Sequence, residues 1–146
     1  MEKQEIAYAG FWRRFSAYII DGVITGFFIN TFYWFLVNQL QLGAMDLDLP
    51  RNLTNIIFTP LVLIITWCYY SGMESSPLQA TLGKLLVGIY VTDLEKNRIS
   101  FGKATGRFFG KIISGLILTI GYWFAGFTEK KQALHDMMAG CLVLRK

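Results

Sequence analysis

Residues 13–37 read RRFSAYIIDGVITGFFINTFYWFLV, a basic pair followed by a long apolar run that holds one carboxylate, Asp21. No charged residue occurs between Asp21 and Asp46. Because about 30 Å of hydrocarbon at 1.5 Å per helical residue requires roughly 20 apolar residues, this run predicts a transmembrane helix over about 14–37. The run is also longer than the ~7–15 apolar residues of a cleaved signal peptide, so we expect the helix to be retained.

The composition of the whole chain points to the same class of protein. Of its 146 residues, 53% are hydrophobic and 16% are charged, whereas soluble proteins average about 25% charged residues. A chain of this length normally forms one domain, so we expect a single membrane domain over residues 1–146. The net charge of +4 comes from short polar segments that flank apolar runs. That distribution suits a lipid bilayer and does not indicate a nucleic-acid partner.

The rest of the chain divides into four segments. A second apolar helix is expected over about 54–72, with Pro60 near its start, followed by a polar segment over about 73–102. Within that segment, GIYVTDLEKNRISF has strand-forming residues on both sides of a turn, which predicts a small β-hairpin, and the C-terminal CLVL could pair with it. Region 103–127 begins as an amphipathic helix and becomes apolar, and residues 128–146 read as a charged tail. The predicted fold class is all-α integral membrane, with about three transmembrane or re-entrant helices plus a small β-hairpin in the cytoplasmic segment.

Lysine and arginine counts orient the chain, because cytoplasmic segments are enriched in both. The N-terminal segment carries three, the first loop one, residues 71–107 five and the residues after 127 four. We therefore expect a multi-pass protein of the cell inner (plasma) membrane with a cytoplasmic N-terminus. A single crossing within 103–127 would leave the basic tail outside, whereas a re-entrant pair of short helices would return it to the cytoplasm. Charge and strand pairing favour the return, and run length favours the single crossing.

One face of the first helix is polar. At 100° per residue, an arc of about 60° contains four polar side chains, Arg14, Tyr18, Asp21 and Thr25. Gly22 and Gly26 lie beside that arc, at a spacing that lets another helix approach closely. Because a carboxylate at the centre of a membrane helix costs roughly 2.5–3.5 kcal/mol on insertion scales, we expect Asp21 to face protein or water. Both a structural contact and a titrating or ion-binding role are open for it.

Arg14 and Asp21 are two helical turns apart, about 10.5 Å, so each needs a partner on another segment. Lys103, Arg107 and Lys111 recur every four residues and share one helical face, which makes them the expected partners of Asp21 or a face that contacts lipid headgroups. Asp136 is the candidate partner of Arg14. On the flank of the basic face, glycines at 102, 106 and 110 predict helix packing, with Gly106 and Gly110 the central pair.

Two short motifs suggest chemistry that the rest of the chain does not support. TLGK, residues 81–84, lacks the earlier glycine and the Ser or Thr after the lysine that a phosphate loop needs. The pair His135-Asp136 could orient an imidazole, but no serine or cysteine stands in a nucleophile motif. We therefore expect no enzyme, no metal site and no cofactor. Lys84 and His135 are kept as candidate supporting residues of a polar site.

Three blocks of the sequence carry a family resemblance. AGFWRRFSAYIIDGVI, ESSPLQATLGKLLVGIYVTD and ALHDMMAGCLVLRK resemble, in order, the blocks of the RDD family of small bacterial and archaeal membrane proteins. That family is named for one arginine and two aspartates. The resemblance implies that Arg14 (or, in the alternative register, Arg13), Asp21 and Asp136 are the three family residues. Transport roles, including cation/proton exchange, have been suggested for the family, which has no settled molecular function.

Two functions follow as expectations. The first is a small transporter or transporter subunit that handles protons or cations through a polar site near Asp21. Because about three helices hardly enclose a path, it would act as a homo-oligomer or with a membrane protein partner. The second is a non-transporting scaffold, assembly or lipid-interaction module whose charged residues hold the fold together and contact anionic lipid.

Overall fold

The computed structural model describes residues 7–42, 51–116 and 131–146. These residues form a mostly helical protein with one small antiparallel sheet of two strands. In chain order the elements are α1 (Phe11–Leu42), α2 (Arg51–Ser75), α3 (Leu82–Val87), β1 (Ile89–Asp93), α4 (Phe101–Leu116), α5 (Leu134–Met138) and β2 (Cys141–Arg145).

The predicted first membrane helix is present as α1, which runs for 32 residues. Its segment Phe11–Leu36 is long and apolar enough to cross a bilayer, and only 6% of its most apolar window is buried in the protein. The core helix of a soluble protein would be mostly buried, so the exposed phenylalanine, isoleucine and tryptophan side chains of α1 suit contact with lipid. Within the described residues, Phe11–Leu36 is the one segment that meets this criterion, and a second crossing by α2 stays a prediction.

The second helix is longer than predicted at both ends. It begins at Arg51, so Pro60 lies in its interior and not near its start. At its other end α2 continues to Ser75 instead of stopping near residue 72. This extra length brings Glu74, which the sequence reading left in the polar segment, onto the last turn of α2.

The predicted β-hairpin is wrong. The backbone N–H of Asp93 donates to the carbonyl of Asn97 at 3.0 Å, and the Asp93 carboxylate accepts from the N–H groups of Glu95 and Asn97 at 2.9 and 2.8 Å. These bonds close the turn on itself, and the residues after it lead into α4 without forming a strand. The pairing of CLVL with this segment is confirmed: β2 runs antiparallel to β1, from Ile89 opposite Arg145 to Asp93 opposite Cys141.

Residues 128–146 were predicted as a charged tail, and the described part of that range, 131–146, is instead folded into α5 and β2. Four successive residues of β2, 141–144, are buried. The N-terminal segment adds to its free edge, since the N–H of Ala9 donates to the carbonyl of Val143 and the N–H of Arg145 to the carbonyl of Ala7, both at 2.9 Å. The described N-terminal residues 7–9 therefore lie beside β2. The apolar part of region 103–127 that would make the return, 117–127, lies outside the described residues.

Candidate functional site

Asp21 joins α1 to α3. Its carboxylate is buried, with 1% of the residue exposed, and accepts hydrogen bonds from the hydroxyls of Tyr69 at 3.0 Å and Thr81 at 2.5 Å and from the backbone N–H of Gly83 at 2.8 Å. The expectation that this acid faces protein is confirmed. Its predicted partners are wrong: α3 lies against this part of α1, so hydroxyls and a backbone amide take the places expected for Lys103, Arg107 and Lys111.

Gly83 makes this close approach possible. A Cβ atom at that position would lie 2.8 Å from the Asp21 Cγ and would overlap the backbone carbonyl oxygen of Ala17. Real Cβ atoms essentially never approach so closely, so any larger residue would push α3 away from α1. In the sequence, Gly83 stood out only as part of TLGK, which lacks the other residues of a phosphate loop. A single glycine at the start of a short helix is too weak a pattern to predict this contact.

The basic face of α4 contacts a different pair of acids. Arg107, with 1% of the residue exposed, donates through Nη1 to Glu74 at 2.8 Å and through Nη2 to Asp136 at 2.7 Å. Lys111 lies 3.1 Å from Glu74, whereas Lys103, one turn before Arg107, is exposed. The sequence predicted the basic face correctly but assigned it the wrong carboxylate, because Glu74 was not recognised as part of a helix.

Two further cations complete the ionic network. Arg14 donates through Nη1 to the second carboxylate oxygen of Asp136, which is the predicted pairing of these two family residues. Lys84 on α3 forms an ion pair with the same oxygen of Glu74, Oε1, that Lys111 contacts. We call these six residues the ionic network: Arg14, Glu74, Lys84, Arg107, Lys111 and Asp136. It ties together the five helices of the described residues.

The network carries more positive than negative charge. Four cations against two carboxylates leave an excess of two positive charges. Burial alone would raise the pKa of both acids, but the neighbouring cations outweigh it and hold the pKa of Glu74 and of Asp136 well below the usual range. Burial lowers the pKa of Lys84 to about 7, against the attraction of Glu74, so this lysine holds its proton weakly. Burial likewise lowers the pKa of His135 to about 3, and its imidazole is neutral at pH 7.

The three remaining predicted site residues, Thr25, Tyr18 and His135, lie at the edge of the site. Thr25 donates to the backbone carbonyl of Asp21 at 2.7 Å and does not contact the carboxylate. The side chain of Tyr18 is more than half exposed and lies beside Arg14 and Asp21 on α1. His135 is buried on α5 with its Nε2 atom 3.4 Å from Asp136, at the edge of the ionic network. All the predicted site residues therefore lie near one another, but only some touch the charged groups.

The predicted packing glycines fall into two groups. A Cβ atom on Gly110 would lie 3.2 Å from the Cβ of His135, so this glycine allows α5 to pack on α4. At Gly22, Gly26 and Gly106 a Cβ atom would meet nothing within 4 Å among the described residues. A packing role for these three stays a prediction.

A cavity of about 680 Å³ lies between α1 on one side and α2 and α4 on the other. The four cations of the ionic network line it together with aromatic rings of α1, α2 and α4. Asp21 is the only carboxylate among its lining residues within the described part of the chain, whereas Glu74 and Asp136 lie behind the cations that they neutralise. The site therefore presents positive charge and apolar surface, which suits an anion attached to a hydrophobic body.

Comparisons with known proteins find related sequences but no related solved structure. Protein YxaI of Bacillus subtilis (strain 168) is 36% identical over 94% of this chain and 97% of its own length. YteJ of the same organism, named as a membrane protein, is 27% identical over 96% of this chain and 82% of its own. RP437 of Rickettsia prowazekii (strain Madrid E) is 30% identical over 73% of this chain and 57% of its own. No solved structure matches this chain.

The model of the RDD family matches residues 8–140, a range that contains α1, the whole ionic network and the contact of Asp21 with Tyr69, Thr81 and Gly83, which we call the clamp. Arg14, Asp21 and Asp136, the three residues that the resemblance assigned to the family, all lie in this site. The chain therefore belongs to the RDD family, a membrane-associated family.

Proposed function

We propose that this protein is a lipid-interaction module that binds an anionic amphiphile, with the charged headgroup among the cations of the ionic network. The observation that carries the proposal is the arrangement of charge around the cavity. Arg14, Lys84, Arg107 and Lys111 all line it, and their counter-ions Glu74 and Asp136 do not. Buried cations with too few acids are costly to maintain, and an incoming anion offsets that cost.

The walls of the cavity favour a ligand with a hydrophobic body. Beside the cations, it is lined by four aromatic rings: Phe15 and Tyr18 of α1, Tyr70 of α2 and Phe108 of α4. Its volume of about 680 Å³ falls within the roughly 300–1,000 Å³ of typical ligand sites. Because α1 exposes apolar side chains over most of its length, a lipid could reach this space from the bilayer with its acyl chains still in an apolar environment.

Binding of anionic lipid is tested with the full chain in a zwitterionic or nonionic detergent. Free anionic lipid at about 100 times its Kd should stabilise the folded protein by about 2.7 kcal/mol, whereas the zwitterionic lipid with the same acyl chains should not. Lys111→Gln should remove most of this effect. Lys103→Gln is the matched control, because Lys103 lies on the same helix but is exposed and does not line the cavity. Equal stabilisation by both lipids, or equal losses in both variants, would refute the proposal.

Proton or cation handling at Asp21 is the second candidate function, supported by the position of this carboxylate on the wall of the same cavity. Its three hydrogen bonds from protein donors leave it little capacity to coordinate an ion, so the geometry supports this candidate less well. A homo-oligomer or a partner protein would be needed to enclose a path. Purified protein in liposomes should then show pH-dependent cation flux that Asp21→Asn abolishes, and flux unaffected by that substitution rules the role out.

A further inference from the structure

Two lysines of the ionic network converge on a single oxygen atom. Lys84 comes from α3 and Lys111 from α4, and both contact Glu74 Oε1, the latter at 3.1 Å. We infer that the headgroup bound in the cavity ends in a phosphate monoester held between Lys84 and Lys111. This inference rests on the proposed function and names the chemical class of its ligand.

The geometry suits a group with several terminal oxygens. Since both ammonium nitrogens lie within hydrogen-bond reach of one oxygen, they are at most about 6 Å apart. Within the described residues each ammonium makes one hydrogen bond, to Glu74, and each has three N–H donors. Donors from both lysines can therefore reach different oxygens of one terminal phosphate. Lys111 is further positioned by the ring of Tyr70, whose centroid lies 4.9 Å from its nitrogen.

The charge balance favours a dianion over a monoanion. Once Lys84 is protonated, the ionic network has an excess of two positive charges, and a phosphate monoester carries about −1.5 to −2 at pH 7 because its second pKa is about 6. A phosphodiester carries only one negative charge. Asp21 also lines the cavity and adds one negative charge to its wall, but within the described residues it is held by two hydroxyls and a backbone amide and is not a counter-ion of Lys84 or Lys111.

The lowered pKa of Lys84 before binding also supports a dianionic headgroup. Burial, together with repulsion from Lys111 and Arg107, lowers the pKa of this lysine to about 7 although Glu74 attracts it. An anion placed beside Lys84 would favour its charged form. The site is therefore poised to gain both an ion pair and a full positive charge when a dianion enters.

The test compares three lipids with identical acyl chains on the full chain in detergent: phosphatidic acid, phosphatidylglycerol and phosphatidylcholine. We expect phosphatidic acid to bind at least about tenfold more tightly than phosphatidylglycerol, because one further charge-assisted hydrogen bond is worth about that factor. Lys84→Gln and Lys111→Gln should each bring the two anionic lipids to similar affinity. Lys103→Gln should leave the ratio unchanged. Inorganic phosphate should fail to compete at millimolar concentration.

The other possible outcomes separate a wrong headgroup from a wrong proposed function. Equal binding of the two anionic lipids contradicts the monoester but leaves the proposed function intact, whereas equal binding of all three lipids contradicts the proposed function itself. Competition by inorganic phosphate would show that the site takes a soluble anion. If the lysine variants do not fold, phosphorus NMR of phosphatidic acid on the wild-type protein replaces them. A headgroup resonance identical to that of lipid in empty micelles would then refute the inference.

Discussion

Replacing Glu74 with glutamine tests the ionic network most directly. Glu74 is 1% exposed and pairs with three cations: Lys84, Arg107 at 2.8 Å and Lys111 at 3.1 Å. The amide of Glu74→Gln fills the same space but removes the negative charge, so three buried or half-buried cations lose their common counter-ion. Breaking a buried ion pair by removing one partner typically costs about 3–5 kcal/mol, and we expect a loss of this size.

The measurement is the free energy of unfolding of the purified protein in detergent, followed by circular dichroism. Glu95→Gln is the matched control, because Glu95 is exposed in the turn after β1 and should change stability by less than about 0.5 kcal/mol. A second substitution, Lys111→Met in the Glu74→Gln background, should recover part of the loss by removing one of the uncompensated charges, whereas Lys84, whose pKa is about 7 even beside Glu74, can lose its proton instead. A loss of unfolding free energy below about 1 kcal/mol for Glu74→Gln, or no recovery of it in the double variant, would show that water stabilises these cations and that this carboxylate does not.

Three further predictions concern the clamp, the family arginine and acid pH. Gly83→Ala should destabilise the protein by about 1–3 kcal/mol because its Cβ meets α1, whereas Gly106→Ala, whose Cβ would meet nothing within 4 Å among the described residues, should be neutral or stabilising in the same thermal unfolding assay. Arg14→Gln should lower stability far more than Arg13→Gln, since Arg13 is exposed and its one hydrogen bond among the described residues is a 3.4 Å contact with a backbone carbonyl; equal losses in a melting comparison would contradict this. The pKa of His135 is lowered to about 3, so the unfolded chain binds more protons than the folded one below its ordinary value of about 6.5. Stability should therefore fall as pH drops from about 6.5 to 5 in the wild type but not in His135→Gln. A parallel fall in both proteins would show that a group other than His135 causes the pH dependence.

The sequence was most informative where local pattern decides structure. The length of the apolar run predicted α1, and the four-residue repeat of basic side chains predicted the shared face of α4. The cost of a carboxylate in a membrane helix predicted that Asp21 faces protein. Each of these follows from residues that are close together in the chain.

The errors arose where distant segments compete for the same place. The turn after β1 reads as a hairpin, but a strand about 50 residues later pairs with β1 instead, and no local signal separates these two outcomes. Glu74 lies in the last turn of α2, where a helix boundary cannot be fixed from sequence to within a few residues. Without Glu74 on a helix, the basic face of α4 could not be matched to its true counter-ion.

The ionic network spans the chain from Arg14 to Asp136, only ten residues from the C-terminus. During synthesis, α1 leaves the ribosome and can enter the bilayer long before the acid that pairs with its arginine has been translated. The N-terminal segment likewise cannot pair until β2 has been translated, because β2 follows every other described element in the chain. The site can therefore be completed only after Asp136 has been translated, and a chain truncated before Asp136 should insert into the membrane but be recognised by quality-control proteases as incompletely folded.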